Sequence, residues 1–329
     1  MNAEPLRLGS RRSPMAISQS GDVARLVTER TGRLVEIVGV TTLGDASREQ
    51  LTQIGGTGVF VSALRESLLR GEVGFAVHSL KDLPTGTAPP ITLAAIPARD
   101  DPRDALVGRD GAKLADLPSG ARIGTGSPRR AAQVAVLRSD VTCVPIRGNA
   151  NTRLAKVRDG ELDAVVLAYA GLARIGHTDL VTEIFEPDEM VPAPGQGALA
   201  VECRSDDVEL AGLLATIDDQ ATRAAVTAER SLLAALEAGC SAPVGAYAVG
   251  QAGNRLRLHA VVLLHDISPA SSQAGRLDVA TAGTTMVVRE RGEADVADAA
   301  SLGRELAARM LAGGAADLMS AKTDREDFA

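Results

Sequence analysis

Arginine recurs in this chain at places where a helix should begin. In Gly124-Thr125-Gly126-Ser127-Pro128-Arg129-Arg130 a β-branched run ends, the glycines let the backbone turn, Ser127 can cap the next helix and Pro128 suits its first position. Arg129 and Arg130 then fall in the first turn, where the helix macrodipole is positive and each cation costs ~0.3–1 kcal/mol unless an anion compensates. Arginines also flank the expected helix starts in Ser10-Arg11-Arg12-Ser13-Pro14 and in Arg147-Gly148-Asn149-Ala150-Asn151-Thr152-Arg153. Three such helix starts facing one cleft would form a receptor for several carboxylates or phosphates. The plain alternative is solvated arginine on three separate helix surfaces.

His78-Ser79-Leu80-Lys81-Asp82-Leu83-Pro84 follows the apolar run Phe75–Val77. This places an ammonium and a carboxylate at the C-terminal end of a strand, the ligand edge of an open α/β sheet, although a loop Lys and an Asp before a turn would read the same way. Gly55-Gly56-Thr57-Gly58 precedes a helix at Val59 and can be a mobile lid or a phosphate-type turn. Of the three cysteines, Cys143 and Cys203 sit in apolar runs and read as buried hydrophobes. Cys240 lies on a turn between Gly239 and Ser241-Ala242-Pro243, where a thiol can be a nucleophile or a structural residue.

The elements that must position these groups follow βαβα grammar. Strands are expected at Leu6–Gly9, Leu34–Thr41 and Phe75–His78, with helices from Pro14 and over Val59–Leu69. After a polar turn at Pro97–Pro102, a second set has strands at Ala105–Val107, Arg122–Gly124, Val141–Ile146 and Ala164–Leu167, with helices from Pro128 and Asn151. Pro192 and Pro194 interrupt the chain before Ala198–Cys203, an apolar run suited to return to the first sheet, so two crossings would join two hinged lobes. From Thr222 a helix runs to Glu237, followed by strands at Val244–Val249, Leu256–Leu264 and Thr284–Arg291 and a helix near Asp295–Ala312. The expected fold is therefore α/β: a mostly parallel-sheet lobe at 1–97 and 198–216, a second lobe at 103–191, and a small α+β domain with an antiparallel sheet at 220–329. Residues 268–283 read as an exposed loop or a fraying hairpin rather than a linker.

Composition removes several function classes. The chain of 329 residues carries a formal charge of −7, aromatics are 2% and Trp is absent, so neither the charge nor the stacking platform of a nucleic-acid binder is present. No lysine follows a glycine, which excludes the P-loop G-K-[ST]. His78, His177, His259 and His265 show no metal-ligand spacing, so no metal is expected. No apolar stretch approaches the ~18 residues of a spanning helix, and Arg11-Arg12 is not followed by the apolar core of a signal segment. Three cysteines without a C-x-x-C pair fit a reducing compartment, and a cytoplasmic monomer with no membrane or nucleic-acid partner is expected.

The chain also resembles the porphobilinogen deaminase (hydroxymethylbilane synthase) family over nearly its whole length. The resemblance rests on Ser-Arg-Arg-Ser-Pro at 10–14, Ala-Val-His-Ser-Leu-Lys-Asp-Leu-Pro at 76–84, Asp-Asp-Pro-Arg-Asp-Ala at 100–105, Gly-Thr-Gly-Ser-Pro-Arg-Arg at 124–130, Arg-Gly-Asn at 147–149, Pro-Gly-Gln-Gly-Ala at 194–198 and Gly-Cys-Ser-Ala-Pro-Val-Gly at 239–245, in the family's order. It implies lobes built like type II solute-binding proteins and a dipyrromethane cofactor held by a thioether to Cys240. It implies porphobilinogen as substrate, with Asp82 as the catalytic carboxylate and Lys81 beside it. Cofactor contacts would fall on Ser13, Lys81, Asp82, Thr125, Ser127, Arg129, Arg130 and Arg147. Substrate contacts would fall on Arg11, Phe60, Arg147, Arg153 and Arg174, Phe60 stacking on a pyrrole.

One departure stands out. Relatives often read Gly-Gly-Lys-Gly-Leu-Phe where this chain has Gly-Gly-Thr-Gly-Val-Phe, with Thr57 in place of a lysine and Ser62 where another is common. The rival to an enzyme is a two-lobed binding or regulatory module that captures an acidic metabolite without chemistry. The arginines fit both readings; Asp82 beside Lys81, and Cys240 on its own domain, favour the enzyme.

Overall fold

The computed structural model describes residues 4–40, 58–238, 242–265 and 285–316. Gly55, Gly56, Thr57, the loop expected at 268–283, and Cys240 with Gly239 and Ser241 lie outside them.

In chain order the first lobe contains β1 (Leu6–Ser10), α1 (Pro14–Thr31), β2 (Val35–Gly39), α2 (Gly58–Leu69), β3 (Phe75–Ser79) and β4 (Ile91–Ala95). The chain then crosses to β5 (Asp104–Gly108), β6 (Arg122–Thr125), α3 (Pro128–Leu137), β7 (Thr142–Pro145), α4 (Ala150–Arg158), β8 (Ala164–Ala168), α5 (Tyr169–Arg174) and β9 (Glu183–Ile184). A second crossing returns it to β10 (Leu199–Arg204) and α6 (Val208–Leu214), and α7 (Gln220–Ala235), β11 (Val244–Gln251), β12 (Arg255–His265), β13 (Thr285–Asp295) and α8 (Ala299–Ala312) follow.

The two lobe sheets have one topology, β2-β1-β3-β10-β4 and β7-β6-β8-β5-β9. In each, three strands pair parallel and one strand is reversed, and the reversed strand is the one that arrives by a crossing, β10 or β5. Both are almost wholly buried, so each lobe is built around a strand delivered from the other. The crossings touch at Gly197, whose φ of +86° and distance of only 2.6 Å from a Cβ position to the Asp100 carbonyl oxygen leave room for no side chain.

The third sheet is antiparallel, β11-β12-β13, with α7 and α8 sharing its core through Leu232, Ala246, Leu258, Leu306 and Met310. Glu229 on α7, fully buried, ties this domain to both crossings. It accepts from both terminal nitrogens of Arg99 (2.7 and 3.1 Å) and from the backbone amides of Gly195 (2.7 Å) and Ala248 (2.8 Å).

Three local expectations shift. β4 was not anticipated, because an edge strand half-buried along its length gives no strong alternation. β5 begins one residue earlier than its apolar run, at the fully buried Asp104. The helix expected to reach Glu237 stops at Ala235, and Glu237 takes φ +52°.

Candidate active site

β3 and β8, one from each lobe, point their C-terminal ends at one cavity of about 620 Å³ between the lobes, and the reversed β10 begins beside it. On the first lobe, Ser13 caps α1, its Oγ accepting from the Ala16 amide at 3.3 Å, with Pro14 opening the helix, and Arg11 and Ser13 line the cavity. Lys81 and Asp82 form a 3₁₀ turn directly after β3, pinned by the fully buried Leu80. Arg230 from α7 donates to the carbonyls of Leu83 (2.8 Å) and Pro84 (2.7 Å), fixing the loop that leaves Asp82. Both Lys81 and Asp82 line the cavity. Burial, with Arg130 adding repulsion, pushes the Lys81 ammonium down to about 8.

On the second lobe, Ser127 caps α3 by accepting from the Arg130 amide (3.4 Å), and Thr125 Oγ1 accepts from the Ser127 amide (3.2 Å). Gly126 serves close approach, since a Cβ there would sit 2.7 Å from the Ile146 carbonyl oxygen. The two arginines that follow differ. Arg130 lines the cavity, whereas Arg129 is directed away from it, donating to Asp104 Oδ2 (2.7 Å) and to the Val191 carbonyl (2.6 Å). Arg130 Nε reaches Asp104 Oδ1 at 2.9 Å. Burial alone would raise the pKa of Asp104, but the two guanidinium groups outweigh it and hold the carboxyl well below the usual range. This charge compensates the helix start that Arg129 and Arg130 make unfavourable.

Asn149 caps α4, accepting from the Thr152 amide at 2.9 Å, and the first turn of that helix brings Arg153 to the cavity with its Nε on the Gly148 carbonyl (2.9 Å). Arg174, at the end of α5, also lines it, paired with Asp100 (2.6 Å) and donating to the Gly197 carbonyl (3.0 Å), while its Nε is buried without a hydrogen-bond partner. Arg147 is exposed in the turn before α4 and does not line the cavity; neither do Thr125 and Ser127. Phe60 falls in the first turn of α2, and Cys240 lies outside the described residues.

Three polar groups at the site were not singled out from sequence. Gln196, fully buried in the second crossing, contacts Lys81, Arg130 and Asp104. Asp104 itself was visible only as one letter of a motif. Glu202, on β10 beneath the cavity, accepts both Nε (3.0 Å) and Nη2 (2.7 Å) of Arg65 from α2 and lies 3.3 Å from His78 Nε2. Burial would raise Glu202, but these partners bring it down to about 2. The signal available for Asp104 and Glu202 was a lone acid in an otherwise apolar strand, a placement that demands buried cations.

The arrangement is a cation-lined cleft on whose wall, among the described residues, stands one carboxylate, Asp82. No described helix is long and apolar enough to cross a membrane. Among solved structures, the methionine-binding protein MetQ (TM-score 0.41, 11% identity, 64% of this chain and 89% of that one) and a periplasmic substrate-binding protein of an ABC transporter from Coxiella burnetii (TM-score 0.40, 15% identity, 64% and 91%) are similar. A family model described as porphobilinogen deaminase, dipyromethane cofactor binding domain, matches residues 6–212, and one described as porphobilinogen deaminase, C-terminal domain, matches 223–312. Porphobilinogen deaminase of Thermobifida fusca is 59% identical over 97% of both chains, and porphobilinogen deaminase 1 of Streptomyces coelicolor is 58% identical over 97% of this chain and 98% of its own. With sequence, cleft and both family domains in agreement, the chain belongs to the porphobilinogen deaminase family.

Proposed function

We propose that Asp82 is the carboxylate that stabilises the cationic pyrrole formed in this enzyme's reaction, that the cleft cations hold the substrate's acids, and that Cys240 carries the cofactor. The reaction is a transfer: porphobilinogen molecules are deaminated and condensed head to tail into linear hydroxymethylbilane, on a dipyrromethane primer, in tetrapyrrole biosynthesis. A non-catalytic binding module is not favoured.

The cleft suits the primer. A dipyrromethane bearing an acetate and a propionate on each ring brings several carboxylates, and the cavity offers Lys81, Arg11, Arg130, Arg153 and Arg174. Among the described residues Lys81 gives only one long bond, 3.3 Å, to Gln196, and the buried Arg174 Nε has no hydrogen-bond partner. Burial and Arg130 also depress the Arg153 guanidinium, so an entering carboxylate relieves a strained set of cations. Thr125, Ser127 and Arg147 stand behind or at the rim of this set as supporting contacts. When bound, the primer supplies the pyrrole carbon to which the first substrate unit is joined.

Asp82 leaves the end of β3 at the cleft wall, and this single placement carries the reading. Loss of ammonia from porphobilinogen leaves an electron-poor methylene-pyrrolenine. An ionised carboxylate near the pyrrole nitrogen offsets its positive charge, most strongly where water is excluded. Lys81 and the arginines orient the acetate and propionate arms. The three cysteines without a C-x-x-C pair and the −7 charge support a cytoplasmic protein without nucleic-acid partners.

Peptide mapping and intact mass test the cofactor assignment. Purified active protein should carry the mass of two linked pyrroles on Cys240, and Cys240→Ala should lose turnover. An active protein with unmodified Cys240 would overturn it.

A further inference from the structure

We propose that Gln196 is a positioning residue that holds Lys81 and Arg130 in place with a neutral group, so that their charges stay available to the substrate's carboxylates. The inference rests on the assignment of those two cations to substrate binding. Gln196 sits where the second crossing meets both lobes and is completely buried. Its Oε1 accepts from Lys81 Nζ of the first lobe (3.3 Å) and from Arg130 Nη2 of the second (3.3 Å). Its Nε2 donates to Asp104 Oδ1 (2.8 Å) and to the Pro102 carbonyl in the first crossing (2.7 Å). All four contacts suit one orientation of the amide. Reversed, the NH₂ would face two cations and the oxygen a carboxylate and a carbonyl.

The neutrality matters as much as the reach. Asp104 already takes Arg129 at 2.7 Å and Arg130 at 2.7 Å, so the acid at this junction is committed to the second lobe. A second acid at position 196 would pair with Lys81 and Arg130 and compete with every carboxylate entering the cleft. An apolar residue would leave Lys81 without its amide acceptor and free to swing. Only a neutral donor and acceptor of this length satisfies the cations and Asp104 together. The charged groups acting on Lys81 here are Asp82 on its own turn, Arg129 and Arg130 on α3, and Asp104 on β5.

The test compares holoenzymes of Gln196→Glu and Gln196→Met with the parent for kcat, KM, the pH profile of kcat/KM, thermal melting and intact mass. Gln196→Glu should raise KM for porphobilinogen ~10-fold or more, with a smaller effect on kcat, and move the alkaline limb up by about one pH unit as the added charge favours protonated Lys81. Gln196→Met should raise KM without moving that limb upward. A folded Gln196→Glu protein that fails to acquire the cofactor mass, while Gln196→Met acquires it, also supports the inference, because the same cations receive the primer. Unchanged KM and limb in Gln196→Glu, loss of folding in both variants, or failure of both folded variants to load would overturn it. A parent enzyme that fails to consume porphobilinogen would instead strike the underlying assignment.

Discussion

The two lobes share one topology, so their cleft edges can be compared position by position. After β1 and β6, a serine caps a helix that opens with proline, but α3 adds two arginines to its first turn where α1 has none. After β3 the first lobe presents the 3₁₀ turn of Lys81 and Asp82; after β8 the second presents a short helix ending in Arg174. The first lobe thus contributes the acid on the wall and the second most of the fixed positive charge. The difference teaches that a duplicated frame can divide its work, with one half specialised for binding polyanions and the other free to place a reactive carboxylate. It also separates Arg129 from Arg130. Adjacent in sequence and both paired with Asp104, they differ in their remaining contacts, Arg129 reaching the Val191 carbonyl and Arg130 reaching Gln196 and the cavity.

The comparison can be broken hardest at Asp104. Asp104→Asn leaves two buried guanidinium groups without their carboxylate and should cost ~3–5 kcal/mol of stability, measured by denaturant unfolding. A change below 1 kcal/mol would mean that the arginines find other partners. Arg153→Leu on the second lobe removes a charge-assisted contact and should weaken substrate use by ~1.5–3 kcal/mol, about 10- to 150-fold in kcat/KM, with melting little altered. An effect on melting alone would return Arg153 to a structural role.

Lys81 gives a pH signature. Its pKa in the fold, about 8, lies below that of a free lysine, so between these values the unfolded chain binds more protons and stability rises with pH. The penalty is fully present below pH 8 and fades towards ~10.5. Lys81→Met should therefore stabilise the cofactor-free protein at pH 7 by on the order of 1–3 kcal/mol, the gain vanishing at high pH, while turnover falls. Equal stability at every pH would refute the burial account. Smallest of all, Ser18→Ala removes the 3.0 Å bond from α1 to the Arg174 carbonyl across the cleft mouth and should cost ~0.5–1.5 kcal/mol. A larger loss would show that the lobes depend on this latch.

Much of this was legible in the sequence. Pro14 and Pro128 after capping serines marked α1 and α3, and the apolar run before Cys203 marked the strand that returns to the first sheet. Cleft lining by Arg11, Lys81, Asp82, Arg130 and Arg153 follows from strand ends and helix starts, whereas Arg174, at a helix end, was implied only by the family resemblance. What sequence could not resolve was direction and partnership. Nothing local distinguishes Arg129 from Arg130: both reach Asp104 on a reversed strand, and what separates them, the Val191 carbonyl for one and Gln196 for the other, lies more than 60 residues further along the chain. Gln196 was visible only as one letter of a motif, since its four partners come together only when both crossings and both lobes meet. Thr57 and Cys240 lie outside the described residues, and their roles stand on the motifs around them.

The central claim, that Asp82 does chemistry while the cations bind, is tested most directly by single-turnover ammonia release from cofactor-loaded Asp82→Asn, with substrate affinity and melting measured in parallel. The substitution keeps size and hydrogen bonding but removes the charge that offsets the cationic pyrrole. The account predicts release slowed by ~10²-fold or more with folding intact and porphobilinogen still bound. A folded, loaded Asp82→Asn enzyme that releases ammonia at a near-normal rate would contradict it.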